Sequence, residues 1–214
     1  MNARHVTVPR TARYFLAGEP GSGAELWYVL HGYGQLAEYF LHAFAPVADR
    51  SRCLVAPEGL SRFYLESASH DRVGACWMTR EDRLSEIADY VRYLDLLHAD
   101  LMTAWPAGEV RVTVLGFSQG TATAARWLAQ GQTRARRLIL WGGEVPPDLD
   151  LPAARERWQE TELTLVVGKT DRFITAKVLA RDEARLRAAG IAYRVVGFPG
   201  GHEIVPDVLE RLTV

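Results

Sequence analysis

Three residues whose types can work as a nucleophile, a carboxylate and a proton acceptor, Ser118, Asp171 and His202, each follow an apolar run. The serine carries the sharpest signal. It is the centre of Gly116-Phe117-Ser118-Gln119-Gly120, preceded by Arg111-Val112-Thr113-Val114-Leu115 and followed by the alanine-rich stretch 121–129. A β-branched strand running into a small-residue helix through Gly-x-Ser-x-Gly is the pattern of a nucleophile elbow, whose strained turn lifts the serine oxygen clear of its neighbours. Glycines two residues either side leave room for that turn. If His202 accepts the Ser118 proton and Asp171 orients the imidazole, the serine can attack a carbonyl carbon, pass through an acyl-enzyme and be released by water.

Such an attack creates an oxyanion, which needs backbone donors. His31-Gly32-Tyr33-Gly34 leaves the apolar run Leu26-Trp27-Tyr28-Val29-Leu30, and its glycines leave the main chain unshielded. The N–H of Tyr33, paired with that of Gln119 just after the serine, is the expected oxyanion hole. A donor of this kind contributes about 3 kcal/mol.

Other residues compete for these roles. Asp148 and Asp150 follow the preceding strand and could supply the acid, whereas Asp171 sits on a tighter strand-exit turn. His31, His42 and His70 lie upstream of the serine, and His31 is expected to brace its own loop. His98 falls on an amphipathic helix in a structural role. Cys53 and Cys76 lie in no metal-ligand spacing and read as small buried hydrophobes. No phosphate loop, dinucleotide fingerprint or zinc spacing is present, so no cofactor and no metal are expected.

The elements that must position these residues alternate. Strands are expected at 26–30, 53–56, 111–115, 138–141, 163–167 and 193–196, with two more short edge strands in 5–17. Helices are expected over 36–45, from an N-cap at Thr79 through Leu101, over 121–129 and over 177–189 with Gly190 as C-cap, and a short one ends the chain. The stretch from Leu60 to Thr79 has no clear period and reads as an irregular loop. Within it Phe63, Tyr64, Trp77 and Met78 are candidates to line a substrate pocket, joined by Phe173, with packing against the sheet as the alternative. Residues 144–152 read as a loop over the site. Alternation of this kind argues for an α/β fold with helices on both faces of a mostly parallel sheet, its site at the strands' C-terminal ends.

The motif GFSQG, the upstream HGYG, the Gly168-x-x-Asp171 turn and the Gly-Gly-His202 exit, in the order Ser, Asp, His, resemble the carboxylesterase/phospholipase family of α/β-hydrolases, which includes acyl-protein thioesterases. The resemblance covers roughly residues 26 to 204 and implies one α/β-hydrolase domain over 1–214 with a minimal lid. It also implies the roles given above for Ser118, Asp171 and His202. Two places depart from the family's usual pattern: Gln35 stands where an Asp commonly follows the HGxG loop, and Trp77-Met78-Thr79 where Trp-Phe-Asp is common.

Composition narrows the partners. With 214 residues, 48% hydrophobic, a net charge of −1 and scattered arginines, the chain has a substantial core and no basic stripe for nucleic acid. The N-terminal residues lack an apolar h-region and no stretch is long and apolar enough to span a bilayer, so a soluble, cytoplasmic protein is expected. The expected partner is a small-molecule ester or thioester, and the assembly state, homodimer included, is left open. The expected activity is a serine carboxylesterase for small to medium esters. A thioesterase or lysophospholipase with the same residues is the alternative, and a non-catalytic ligand-binding module on the same fold is the reading from another class.

Overall fold

The computed structural model describes residues 2–21, 23–66, 69–105 and 110–213. In chain order they form β1 (Tyr14–Ala17), β2 (Glu25–Leu30), α1 (Ala37–His42), β3 (Arg52–Pro57), β4 (Ser61–Tyr64), β5 (Val73–Cys76), α2 (Arg83–Met102), β6 (Arg111–Phe117), α3 (Gln119–Gln130), β7 (Arg137–Trp141), α4 (Leu151–Arg157), β8 (Glu162–Gly168), α5 (Ala176–Ala188), β9 (Tyr193–Phe198) and α6 (Pro206–Arg211). Seven strands make one sheet in the order β1-β3-β2-β6-β7-β8-β9, parallel except for β1.

The period-2 geometry of β2 divides the core. Leu26, Tyr28 and Leu30 face one side, where they pack with residues of α2, α3, α4 and α5, while Trp27 and Val29 face the other, with residues of α1 and α6. Both faces are thus covered, which is why the central strands are apolar throughout rather than alternating. Helices flank both sides of a mostly parallel sheet, as the sequence pattern predicts.

The order of strands fixes where a site can form. From β2 the chain moves to β3 on one side, then returns to β6 on the other, so the direction of winding reverses between β2 and β6. At such a switch point the loops leaving neighbouring strands diverge and open a crevice. The register pairs Leu30 with Gly116, so the loops that follow, carrying Tyr33 and Ser118, emerge side by side.

Several elements differ from the sequence reading. Only one strand, β1, forms within 5–17, and Val6 and Val8 are exposed, because nothing covers an apolar side chain there. The stretch 60–79 is not wholly irregular: β4 and β5 pair antiparallel as a hairpin of their own, with residues 67 and 68 outside the described set. Thr79 is not an N-cap. Its N–H and hydroxyl donate to the Glu86 carboxylate at 2.5 and 3.3 Å, and α2 begins four residues later, at Arg83. The loop expected at 144–152 ends in α4, where Asp150 accepts the N–H of Ala153 at 3.1 Å and Pro152 sits in the first turn.

Both cysteines are buried. Burial pushes the Cys53 thiol up to about 11 and raises that of Cys76. Among the described residues no helix is long and apolar enough to cross a membrane.

Candidate active site

Ser118 lies between β6 and α3 with φ 54° and ψ −116°, one of three non-glycine residues with positive φ among those described. The strain is held by its surroundings. Its N–H donates to Trp141 O at 2.9 Å, and its carbonyl accepts the N–H and hydroxyl of Thr121 at 3.1 and 2.7 Å. A Cβ on Gly116 would overlap the backbone of Gly120, and one on Gly120 would overlap the carbonyl of Leu30. The two glycines therefore let α3 approach both its own strand and β2.

Ser118, His202 and Asp171 form one hydrogen-bonded chain. Ser118 Oγ lies 2.9 Å from His202 Nε2, and His202 Nδ1 lies 2.8 Å from Asp171 Oδ2. An ionised carboxylate only accepts, so Nδ1 carries the imidazole proton and Nε2 is left as the acceptor for the serine hydroxyl. The other carboxylate oxygen, Oδ1, accepts the N–H groups of Phe173 and Ile174 at 2.8 and 3.0 Å. Burial pushes the Asp171 carboxyl upward. The hydrogen bonds from His202, Ile174 and Phe173 outweigh it and hold the carboxyl below the usual aspartate range.

The loops bearing Asp171 and His202 are tied together: Lys169 N–H donates to Phe198 O, and Thr170 donates through N–H and hydroxyl to Gly200 O, at 2.9, 2.9 and 2.8 Å. The imidazole sits between Phe117 and Phe173, with ring centroids 4.9 and 4.7 Å away. Asp148 and Asp150 are engaged elsewhere. Asp148 pairs with Arg126 and Arg83 at 2.7 and 3.1 Å, and Asp150 caps α4.

On the other side of Ser118, the loop after β2 is braced by His31. Its Nδ1–H donates to Gly32 O at 2.8 Å and its Nε2 accepts the Gly59 N–H at 2.9 Å, so both ring nitrogens are used by the neutral imidazole. Burial lowers its pKa, consistent with that neutral form. Among the described residues the N–H groups of Tyr33 and Gln119 donate to no acceptor within the protein. The Gln119 side chain bridges to the segment after β5, accepting Trp77 N–H at 3.1 Å and donating to Met78 O at 2.8 Å. Among the described residues no group of three or more His, Cys, Asp or Glu could hold a metal ion.

The phospholipase/carboxylesterase family model matches residues 28–213. The chain belongs to that family. Among solved structures, acyl-protein thioesterase 2 of Zea mays is similar at 20% identity over 95% of this chain and 98% of its own, with a TM-score of 0.69. Esterase PE8 is similar at 21% identity over 95% and 97%, TM-score 0.69, and the Bacillus cereus carboxylesterase at 14% over 94% and 91%, TM-score 0.67. No curated protein matches the sequence. At these identities the structures establish a shared α/β-hydrolase fold.

In this family member two cavities flank the hydrogen-bonded chain. One, of about 700 Å³, is lined by Tyr33, Ser118, Gln119, Glu144, Phe173 and Ile174 among others. The second, of about 780 Å³, has Leu36, Tyr39, Phe40, Leu65, Val73 and Ile204 on its wall, with Asp71, Arg72 and Glu203 as its charged members. Gln35, Phe117 and His202 line both.

Of the aromatic and methionine candidates, Phe173 lines the first of these two cavities, and Phe63, Tyr64, Trp77 and Met78 line neither of them. Phe63 packs on the Tyr33 ring, centroids 5.2 Å apart, and Tyr64 is exposed beside His70. Trp77 is a core residue, stacked on His31 at 4.9 Å and donating its indole N–H to His31 O at 2.9 Å. Met78 is half-buried and packs against the same core. The Gln119 side chain holds the backbone of these two residues, a long-range contact that no local periodicity encodes. Residues that the sequence did not single out, Gln35, Trp141 and Glu144, touch the site or its supports. Gln35 was noticeable only as a departure from the family pattern, and Trp141 only as the end of an apolar run.

Proposed function

We propose that the protein is a serine carboxylesterase acting on carboxylic esters of small to medium size. The observation that carries this reading is the continuous chain from Ser118 Oγ through His202 to Asp171, at 2.9 and 2.8 Å, with the serine on a strained elbow. In this reading Ser118 Oγ attacks the ester carbonyl carbon while its proton moves to His202 Nε2. Asp171 stabilises the resulting imidazolium, and the free N–H groups of Tyr33 and Gln119 take the oxyanion. Collapse breaks the bond to the alcohol oxygen, which leaves with the proton from Nε2. Water then attacks the acyl-enzyme, giving its proton to His202, and collapse returns that proton to Ser118 as the carboxylic acid leaves.

The size range is supported by the two cavities, which fall within the volumes typical of small-molecule sites. The apolar wall of the larger cavity favours one second reading, a thioesterase or lysophospholipase working through the same residues on a longer acyl chain. A series of acyl-chain lengths separates them, since failure beyond short chains excludes the second. We also assign the 214 residues to one domain and the reaction to the cytoplasm.

The decisive test is Ser118→Ala. Turnover of p-nitrophenyl acetate and butyrate should fall to background with an unchanged circular dichroism spectrum, and a fluorophosphonate probe should label the wild type and not the variant. Undiminished turnover would overturn the assignment. A folded wild type that neither turns over these esters nor reacts with the probe would favour a non-catalytic binding module.

A further inference from the structure

Gln35 occupies the ridge between the two cavities, and all of its polar groups but one are used. Its backbone N–H donates to Gly32 O at 3.2 Å and its carbonyl accepts the Ala75 N–H at 3.2 Å. Its side-chain oxygen Oε1 accepts the Gly32 N–H at 2.7 Å. That bond fixes which way the amide faces, because the reverse orientation would set an NH₂ group against a backbone N–H. The NH₂ group, Nε2, is therefore turned away from the loop, and among the described residues it meets no acceptor.

The amide also stands beside the nucleophile. A Cβ placed on Gly32 would lie 3.0 Å from Gln35 Oε1 and 3.1 Å from Ser118 Cβ, so the amide head and the serine share one glycine-sized gap. Gln35 lines both the cavity that contains Ser118 and the one beyond Phe117 and His202. A substrate with its carbonyl at Ser118 and a substituent in the second cavity passes along this ridge.

Resting on the esterase reading above, we infer that Gln35 Nε2 recognises the substrate, donating a hydrogen bond to an ether, hydroxyl or carbonyl oxygen close to the scissile ester group, so that the enzyme prefers oxygenated esters over their hydrocarbon isosteres. An unpartnered donor on a residue that lines both cavities, its other polar atoms held by three bonds, is preorganised for one such acceptor. A substrate without the acceptor leaves the donor unmatched once the site is closed to water, which is the stronger source of discrimination. The acceptor can belong to the acyl or to the alcohol portion, and the two arms of the experiment tell them apart.

The test measures kcat/KM for two isosteric pairs. On the acyl side these are p-nitrophenyl methoxyacetate and p-nitrophenyl butyrate; on the alcohol side, 2-methoxyethyl acetate and butyl acetate. Differences in intrinsic reactivity within a pair cancel when variant is divided by wild type. Gln35→Glu keeps the acceptor for Gly32 N–H and removes the donor, so the loop is preserved. Its added charge near the oxyanion acts on both members of a pair, but it also repels the substrate oxygen that only one member carries, so the charge-free variant is needed beside it. Gln35→Met removes the donor without adding charge.

In both variants the oxygenated ester of one pair should lose roughly ten-fold more kcat/KM than its isostere, with the selective loss in KM rather than kcat. Equal losses within both pairs would overturn the inference and leave Gln35 as a loop brace; unchanged rates within both pairs would overturn it too. Wild type with no Ser118-dependent turnover of any of the four esters would overturn the esterase reading, and this inference with it.

Discussion

The indole N–H of Trp141 donates to the carbonyl of Glu203 at 2.9 Å, while the carbonyl of the same tryptophan accepts the N–H of Ser118 at 2.9 Å. One residue at the end of β7 thus holds both the elbow and the loop that carries His202. Trp141→Phe keeps an aromatic ring at this buried position, removes the donor and leaves a void where the second ring of the indole packed. The expected result is a loss of about 2–3 kcal/mol in unfolding free energy, from the void and the lost hydrogen bond together, and a fall in kcat on the order of ten-fold, as the imidazole loses its register with Ser118. Denaturant unfolding and steady-state kinetics on p-nitrophenyl acetate check the two parts.

Asp171→Asn should lower kcat on the order of 10⁴-fold with little change in fold. Oδ1 is held by the N–H groups of Phe173 and Ile174, so an asparagine keeps its oxygen there and turns its NH₂ toward His202 Nδ1. That forces the proton onto Nε2, the atom that must accept from Ser118. Activity near wild type would remove Asp171 from the proposed mechanism.

Gly120→Ala tests the close approach that builds the elbow. The added methyl would overlap the carbonyl of Leu30 at the end of β2, backbone that cannot rotate away. Overpacking of this sort should cost about 3 kcal/mol, seen as a Tm roughly 10 °C lower. Gly197, where a Cβ would meet nothing within 4 Å, provides the control: Gly197→Ala should leave Tm nearly unchanged.

Glu58 gives a pH dependence of stability. Burial pushes its carboxyl up, but Arg13, Arg62 and the Ala37 N–H outweigh this and hold it below its ordinary value of 4.5. A pKa depressed on folding adds stability that is present above the unfolded value and lost as the pH falls through the folded one. The Tm advantage of wild type over Glu58→Gln should therefore be largest near neutrality and shrink on acidification below about pH 4. An advantage that grew with acid would reverse the assignment.

The strands of the main sheet, the elbow glycines and the helices on both faces other than α4 were legible in the sequence because each rests on a local pattern. A short, β-branched apolar run bounded by turn residues fits a strand buried on both faces, and Gly116 and Gly120 flank Ser118 at fixed offsets. The carboxylate beside His202 was a matter of distance between remote loops. Asp148 carries the same chemistry as Asp171, yet Arg126 and Arg83 hold it, and no spacing along the chain records that pairing. The same holds for the aromatic residues of 60–79: their hydrophobicity was plain, but contacts with His31 and Gln119 hold Trp77 in the core, while Tyr64 is left in solvent. Gln35 and Trp141 matter through single hydrogen bonds whose partners are set by how the loops close. Sequence determined the elements and the chemistry they could carry, because those depend on neighbours a few residues away. Tertiary structure alone decided which side chains meet, because that depends on the switch in winding between β2 and β6 and on the loops that close over it.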